Sequence, residues 1–125
     1  MWLSVFAVSM GAVIGANLRW VLGLMCNRWF ADIPPGTLIA NLAGAWLIGV
    51  AISFFSHSSL SPEWRLFAIT GLLGALTTFS TFSVEMVATI QAGKWAMAGL
   101  GIVAHVLGSL LLTALGIMSY QWLKS

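Results

Sequence analysis

The stretch Gly71-Leu72-Leu73-Gly74-Ala75-Leu76-Thr77-Thr78-Phe79-Ser80-Thr81-Phe82-Ser83-Val84-Glu85 lies inside the third of four long apolar segments. From Thr77 to Ser83 it holds five hydroxyl side chains, two phenylalanines and no aliphatic residue. Each unpaired hydroxyl in hydrocarbon costs free energy, so hydroxyls at this density point to a polar path through a bilayer. Gly71 and Gly74 weaken helix propensity, and the β-branched pair Thr77-Thr78 competes for backbone groups. A break or unwound turn near Gly74–Thr78 is therefore expected, and unwound carbonyls that face a cavity can coordinate a cation. Beyond it the period is three: Phe79 and Phe82 share one face, Ser80 and Ser83 the next. A ring edge carries partial positive charge, so two edges beside hydroxyl donors can replace an anion's hydration without a formal cation. The plainer reading makes both rings packing knobs.

Composition sets the surroundings of this stretch. The chain has 125 residues, 60% hydrophobic and 6% charged, with a mean hydropathy of +1.00. Soluble domains carry about 25% charged residues, so this is an integral membrane protein. At about 20 apolar residues per span, there is room for four helices and short loops. One four-helix transmembrane domain over residues 1–125 is expected, with spans at about 2–25, 37–55, 64–90 and 95–122. Pro34-Pro35-Gly36, the Ser-rich run ending at Pro62-Glu63, and Gln91-Ala92-Gly93-Lys94 mark the turns. Trp2, Trp29, Trp64, Trp95 and Trp122 fall near the expected ends, where amphipathic rings favour the membrane interface. Trp20 and Trp46 do not, and are read as packing residues.

Other classes drop out. The single cysteine, Cys26, allows no intramolecular disulfide. A net charge of +2 without a basic run gives no nucleic-acid footprint. No cationic region precedes the first apolar stretch, which reads as a retained helix and not a cleaved leader.

Orientation is undecided by charge. Arg28 and Lys94 fall on one side of a four-span chain, Arg65 and Lys124 on the other, so the positive-inside count is even. A chain that inserts both ways can pair as an antiparallel dimer, the oligomeric counterpart of an inverted repeat. The alternative is a fixed orientation decided by Arg19 or by a partner.

Several polar residues lie within the spans. Gly11, Gly15 and Arg19 follow one helix face. The glycines allow close helix approach, while Arg19 either draws anions into a vestibule or pairs with backbone carbonyls. Asn41 suits an anion or a helix–helix hydrogen bond. Gly101, His105, Ser109 and Thr113 recur at four-residue intervals, a polar ladder about 18 Å long. Glu85 is the only acid inside an expected span, either a proton site or a group near a vestibule.

These blocks together resemble the Fluc (CrcB-type) fluoride channel family over the whole length. The resemblance rests on Gly11-Ala12-Val13-Ile14-Gly15-Ala16-Asn17-Leu18-Arg19, Asn41-Leu42-Ala43-Gly44 and Gly71 through Ser83. It implies an all-α membrane protein with a broken third helix, assembled as an antiparallel dual-topology homodimer with two pores. It implies passive export of cytoplasmic fluoride across the cell's inner membrane, with no enzyme reaction. Phe79 and Phe82 would present ring edges to the ion, and Asn41, Ser80, Thr81 and Ser83 would donate hydrogen bonds. His105, Ser109 and Thr113 would form a track on the fourth helix, with His105 where the family often has tyrosine. Carbonyls of Gly74 and Thr77 would hold a structural sodium ion, and Arg19 would sit at the vestibule. Two other classes compete. A proton-coupled exporter of the small multidrug-resistance type needs an acid in its first helix, and segment one has none. A non-transporting assembly subunit would dock through Gly11 and Gly15.

Overall fold

Two prolines set where the second and third spans begin. In a helix's first turn proline's missing N–H has no partner to lose, and its fixed φ is already helical. The computed structural model, which describes residues 1–125, accordingly starts those helices at Pro35 and Pro62, two residues before the expected 37 and 64. Its elements are α1 (Trp2–Cys26), a 3₁₀ turn (Asn27–Trp29), α2 (Pro35–Ser56), α3 (62–76), α4 (Phe79–Gln91) and α5 (Trp95–Lys124). The protein is all-helical, and four segments are long and apolar enough to cross a membrane: Trp2–Trp29, Pro35–Ser56, Pro62–Gln91 and Trp95–Lys124.

The third segment is irregular. α3 starts as an α-helix over Pro62–Arg65, widens into π-helical turns over Leu66–Leu73 and tightens again over Gly74–Leu76. Thr77 (φ −83°, ψ 154°) and Thr78 (φ −151°, ψ 120°) are extended, and α4 then starts at Phe79. The Thr78 hydroxyl accepts the Thr81 N–H at 3.1 Å, the bond an N-cap threonine makes to an orphan amide of a first turn.

Contacts between loops fix which ends lie together. Lys94 Nζ meets Asp32 Oδ1 at 2.8 Å, and the Thr89 hydroxyl donates to the Asp32 carbonyl at 2.8 Å. The first and third loops therefore share one end. At the other end, the His57 ring stacks on Tyr120 with centroids 6.2 Å apart, joining the second loop to the C-terminal turns. Gly93, at φ 79°, makes the tight turn between α4 and α5 in a conformation that L side chains resist.

Small residues bring the helices into contact. A Cβ on Gly11 would lie 3.1 Å from the Gly71 Cα and would run into the Phe67 carbonyl, so α1 seats its glycine face on α3. Gly49 and Gly116 do the same for α2 and α5, each placing the other's Cα within about 3 Å of an added Cβ. The glycine face expected to allow close approach thus contacts the chain's own third span, and is not open for docking. Ala40, Leu73 and Leu76 form the small apolar core, with Leu22 and Ile48 packed on it. Cys26 is buried at the end of α1. Trp46 bonds through Nε1 to the Ser119 hydroxyl at 3.3 Å. Both Trp46 and Trp20 are exposed on the single chain, Trp20 the more so, on the outer surface of α1. An indole there is left to pack against lipid or a partner.

Candidate functional site

The two-residue interruption is held from α2. Asn41 Oδ1 accepts the Thr78 N–H at 2.7 Å, and Asn41 Nδ2 donates to the Thr78 carbonyl at 3.1 Å. One side-chain amide thus takes both backbone polar groups of one residue, its N–H and its C=O, as a neighbouring strand would. Extended residues inside hydrocarbon would otherwise leave that N–H and C=O unsatisfied, at several kcal/mol each. Asn41 Nδ2 also lies 3.0 Å from His105 Nδ1 on α5, within reach of its second hydrogen. Of the two roles open to Asn41, the structure displays the helix–helix bond, with both donor hydrogens engaged.

A groove of about 400 Å³ opens beside this contact. Asn41, Gly74, Thr77, Thr78, Phe79, Phe82, His105, Ser109 and Thr113 all line it, together with apolar residues of α2 and α5. The phenylalanines form an edge-to-face pair with centroids 5.3 Å apart and planes at 71°. Their settings differ sharply. Phe82 is 6% exposed and lies against the His105 ring, centroids 4.5 Å apart, whereas Phe79 is 74% exposed at the start of α4. Both His105 Nε2 and Glu85 Oε1 are buried without a hydrogen-bond partner. Thr113 donates its hydroxyl to the Ala45 carbonyl at 3.0 Å, so this rung of the ladder also ties α5 to α2.

Two further contacts flank the groove. The Thr37 hydroxyl, one turn before Asn41, donates to Glu85 Oε2 at 2.6 Å. Arg19 Nε donates to the Ala75 carbonyl at 3.0 Å, which ties α1 to the last turn before the interruption. Of the two roles considered for Arg19, the structure displays the carbonyl contact.

The sequence-derived residues therefore divide. Asn41, Gly74, Thr77, Phe79, Phe82, His105, Ser109 and Thr113 converge on one groove. Ser80, Thr81 and Ser83 follow on α4 outside its lining, Ser80 exposed and the other two half-buried. Thr78, expected within the break, is the residue whose N–H and C=O Asn41 clamps. Thr37 was missed as a donor to Glu85. Its one sequence signal is the four-residue spacing from Asn41, which puts both on one face of α2.

Known proteins resemble this chain over nearly its whole length. A family model described as CrcB-like protein, Camphor Resistance (CrcB), matches residues 6–117. The chain is 66% identical over 125 residues to a protein of Marinobacter nauticus, covering 99% of each. It is 60% identical to one of Chromohalobacter salexigens, covering 99% of this chain and 95% of the relative, and 52% identical to one of Acinetobacter baumannii, covering 98% and 97%. All three relatives bear the name fluoride-specific ion channel FluC. Four membrane-capable helices and a family match over nearly the whole chain lead to one statement: this multi-pass membrane protein belongs to the CrcB family.

Proposed function

We propose that the chain is a fluoride-selective channel through which the ion flows passively out of the cytoplasm. The observation that carries this reading is identity of 66% and 60%, across nearly the full length, to relatives named as fluoride-specific channels. The groove suits the task. Fluoride is small and tightly hydrated, so a pore has to offer many donors at close range. Ring edges of Phe79 and Phe82, with His105 and Ser109 beside them, supply weak donors in place of water. Binding of that kind is loose enough for rapid release, which a fixed guanidinium in the narrow part would prevent.

The finer architecture is part of the proposal. Phe79 is exposed on a single chain, which suits a pore completed by a second, antiparallel copy. Ser80, Thr81 and Ser83 would continue the donor face along α4, and Arg19, tied to the Ala75 carbonyl, would sit at the mouth of the path. Asn41 would reach the ion only by exchanging one of its present partners. Sodium fits the interruption of the third span. The amides that would close on the Gly74 carbonyl bond elsewhere, Thr77 N–H to the Leu73 carbonyl at 3.1 Å and Thr78 N–H to Asn41. Carbonyls of Gly74 and Thr77 are hard oxygen donors of the type that hard cations prefer. Two from one chain do not fill a coordination shell, and an equivalent pair from a second copy would add to it. The ion would brace the assembly and would not be transported.

The test is efflux from liposomes containing the purified protein alone. Fluoride should leave while chloride stays. Absent fluoride efflux, or equal passage of chloride, would sink the proposal.

A further inference from the structure

The hydrogen bonds around Asn41 determine where one proton lies. A carboxamide's oxygen and nitrogen are told apart only by their partners, and here the partners are a peptide N–H, which only donates, and a peptide C=O, which only accepts. With Oδ1 2.7 Å from Thr78 N and Nδ2 3.1 Å from Thr78 O, the orientation of the side chain is fixed. The hydrogen left on Nδ2 points to His105 Nδ1 at 3.0 Å. An amide nitrogen offers no lone pair, so Nδ1 has to accept, and a neutral imidazole that accepts at Nδ1 carries its proton on Nε2. Nε2 has no partner, although the side chain is only 3% exposed. A buried N–H left unpaired gives up its hydration with nothing in return, and this one belongs to a residue that lines the groove against Phe82.

We propose that Asn41 is a positioning residue that locks His105 in the Nε2–H tautomer, so that His105 offers a fixed, neutral N–H to a small anion in the groove. The chain of constraint runs from the peptide at Thr78, through the Asn41 amide, to the far nitrogen of the imidazole. The same clamp that closes the interrupted span thus also sets the polarity of the groove wall. The identity of the anion rests on the fluoride reading; the tautomer lock does not.

Imidazole ¹⁵N NMR on the protein in lipid bilayers tests both halves, with His57→Gln present so that His105 alone reports. The expected spectrum has a protonated Nε2 and an unprotonated Nδ1. A mixture of tautomers, or a proton on Nδ1, overturns the lock. Asn41→Asp replaces the donor by an acceptor, and the proton should move to Nδ1; a folded variant that keeps Nε2–H removes Asn41 from the scheme. Should that variant fail to fold, the spectrum of the His57→Gln protein still decides. Sodium fluoride should shift the Nε2–H signal and sodium chloride should not. No shift in protein that still passes fluoride overturns the donor role of His105. No fluoride flux from protein showing the locked tautomer overturns the fluoride reading and leaves the lock standing.

Discussion

A carboxylate inside a membrane span needs a donor, and for Glu85 that donor is Thr37, whose hydroxyl lies 2.6 Å from Oε2. Leaving a buried acceptor without its donor costs about 1–3 kcal/mol, so Thr37→Val should lower stability by about 2 kcal/mol in thermal unfolding in detergent, while Thr37→Ser should change little. Equal stability of the valine variant would mean that Glu85 is satisfied some other way. For Phe82 the readout is transport. Its ring edge and its contact with His105 are replaced in Phe82→Ile by an aliphatic side chain that keeps the helix. Aromatic geometry of this kind is worth about 0.5–1.5 kcal/mol, and fluoride flux should fall by about tenfold (~1.4 kcal/mol) in liposomes holding the intact assembly. Unchanged flux would reduce the ring to packing. At this scale the sequence revealed which residue types gather in the site but not how they pair. Asn41 was conspicuous as an amide in a span, but its partner is a peptide 37 residues away, and no local pattern announces a backbone acceptor. Glu85 was conspicuous for the same reason, and its donor was one hydroxyl among many.

Helix contacts respond to single methyl groups. Gly11→Ala would press Cβ into the Phe67 carbonyl, and Gly49→Ala into that of Thr113; neither neighbour is a flexible side chain that can step aside. Each variant should lose about 1–3 kcal/mol, the usual penalty of overpacking. Gly99→Ala meets nothing within 4 Å and should gain up to about 1 kcal/mol from helix propensity. Thermal unfolding of the three variants side by side checks the contrast, and a Gly11→Ala protein as stable as its parent would contradict the α1–α3 contact. The helices were the most legible part of the chain because prolines, interfacial tryptophans and apolar length all act locally. The π-helical turns over Leu66–Leu73 left no such mark. Their residues are ordinary membrane aliphatics, with a phenylalanine, a threonine and Gly71 among them. The wide turns lie where α3 meets the glycine face of α1, a tertiary contact that local propensity does not encode.

On the scale of the whole molecule the charges are even. Each end of the helix bundle carries two basic residues and one acid in its loops or adjoining helix turns: Arg28, Lys94 and Asp32 at one end, Arg65, Lys124 and Glu63 at the other. Reporter fusions should therefore find the C-terminus on both sides of the membrane. Adding Ser59→Lys and Ser61→Lys to one loop should favour a single orientation, and a population with one orientation should lose fluoride flux by at least tenfold. Persistent flux from copies that all point one way would contradict the antiparallel assembly. Replacing sodium by a large organic cation on both sides should likewise depress flux if carbonyls of Gly74 and Thr77 hold the ion. The buried position of Cys26 acquires a meaning in this setting. A chain that inserts both ways presents the end of α1 to the reducing cytoplasm in one copy and to an oxidising exterior in the other. An accessible thiol would then age differently in the two copies, disulfide-bonded or oxidised in one and intact in the other. Covered by the chain's own packing, the sulfur is shielded from either environment, so the two subunits of an antiparallel pair would stay chemically identical on either face.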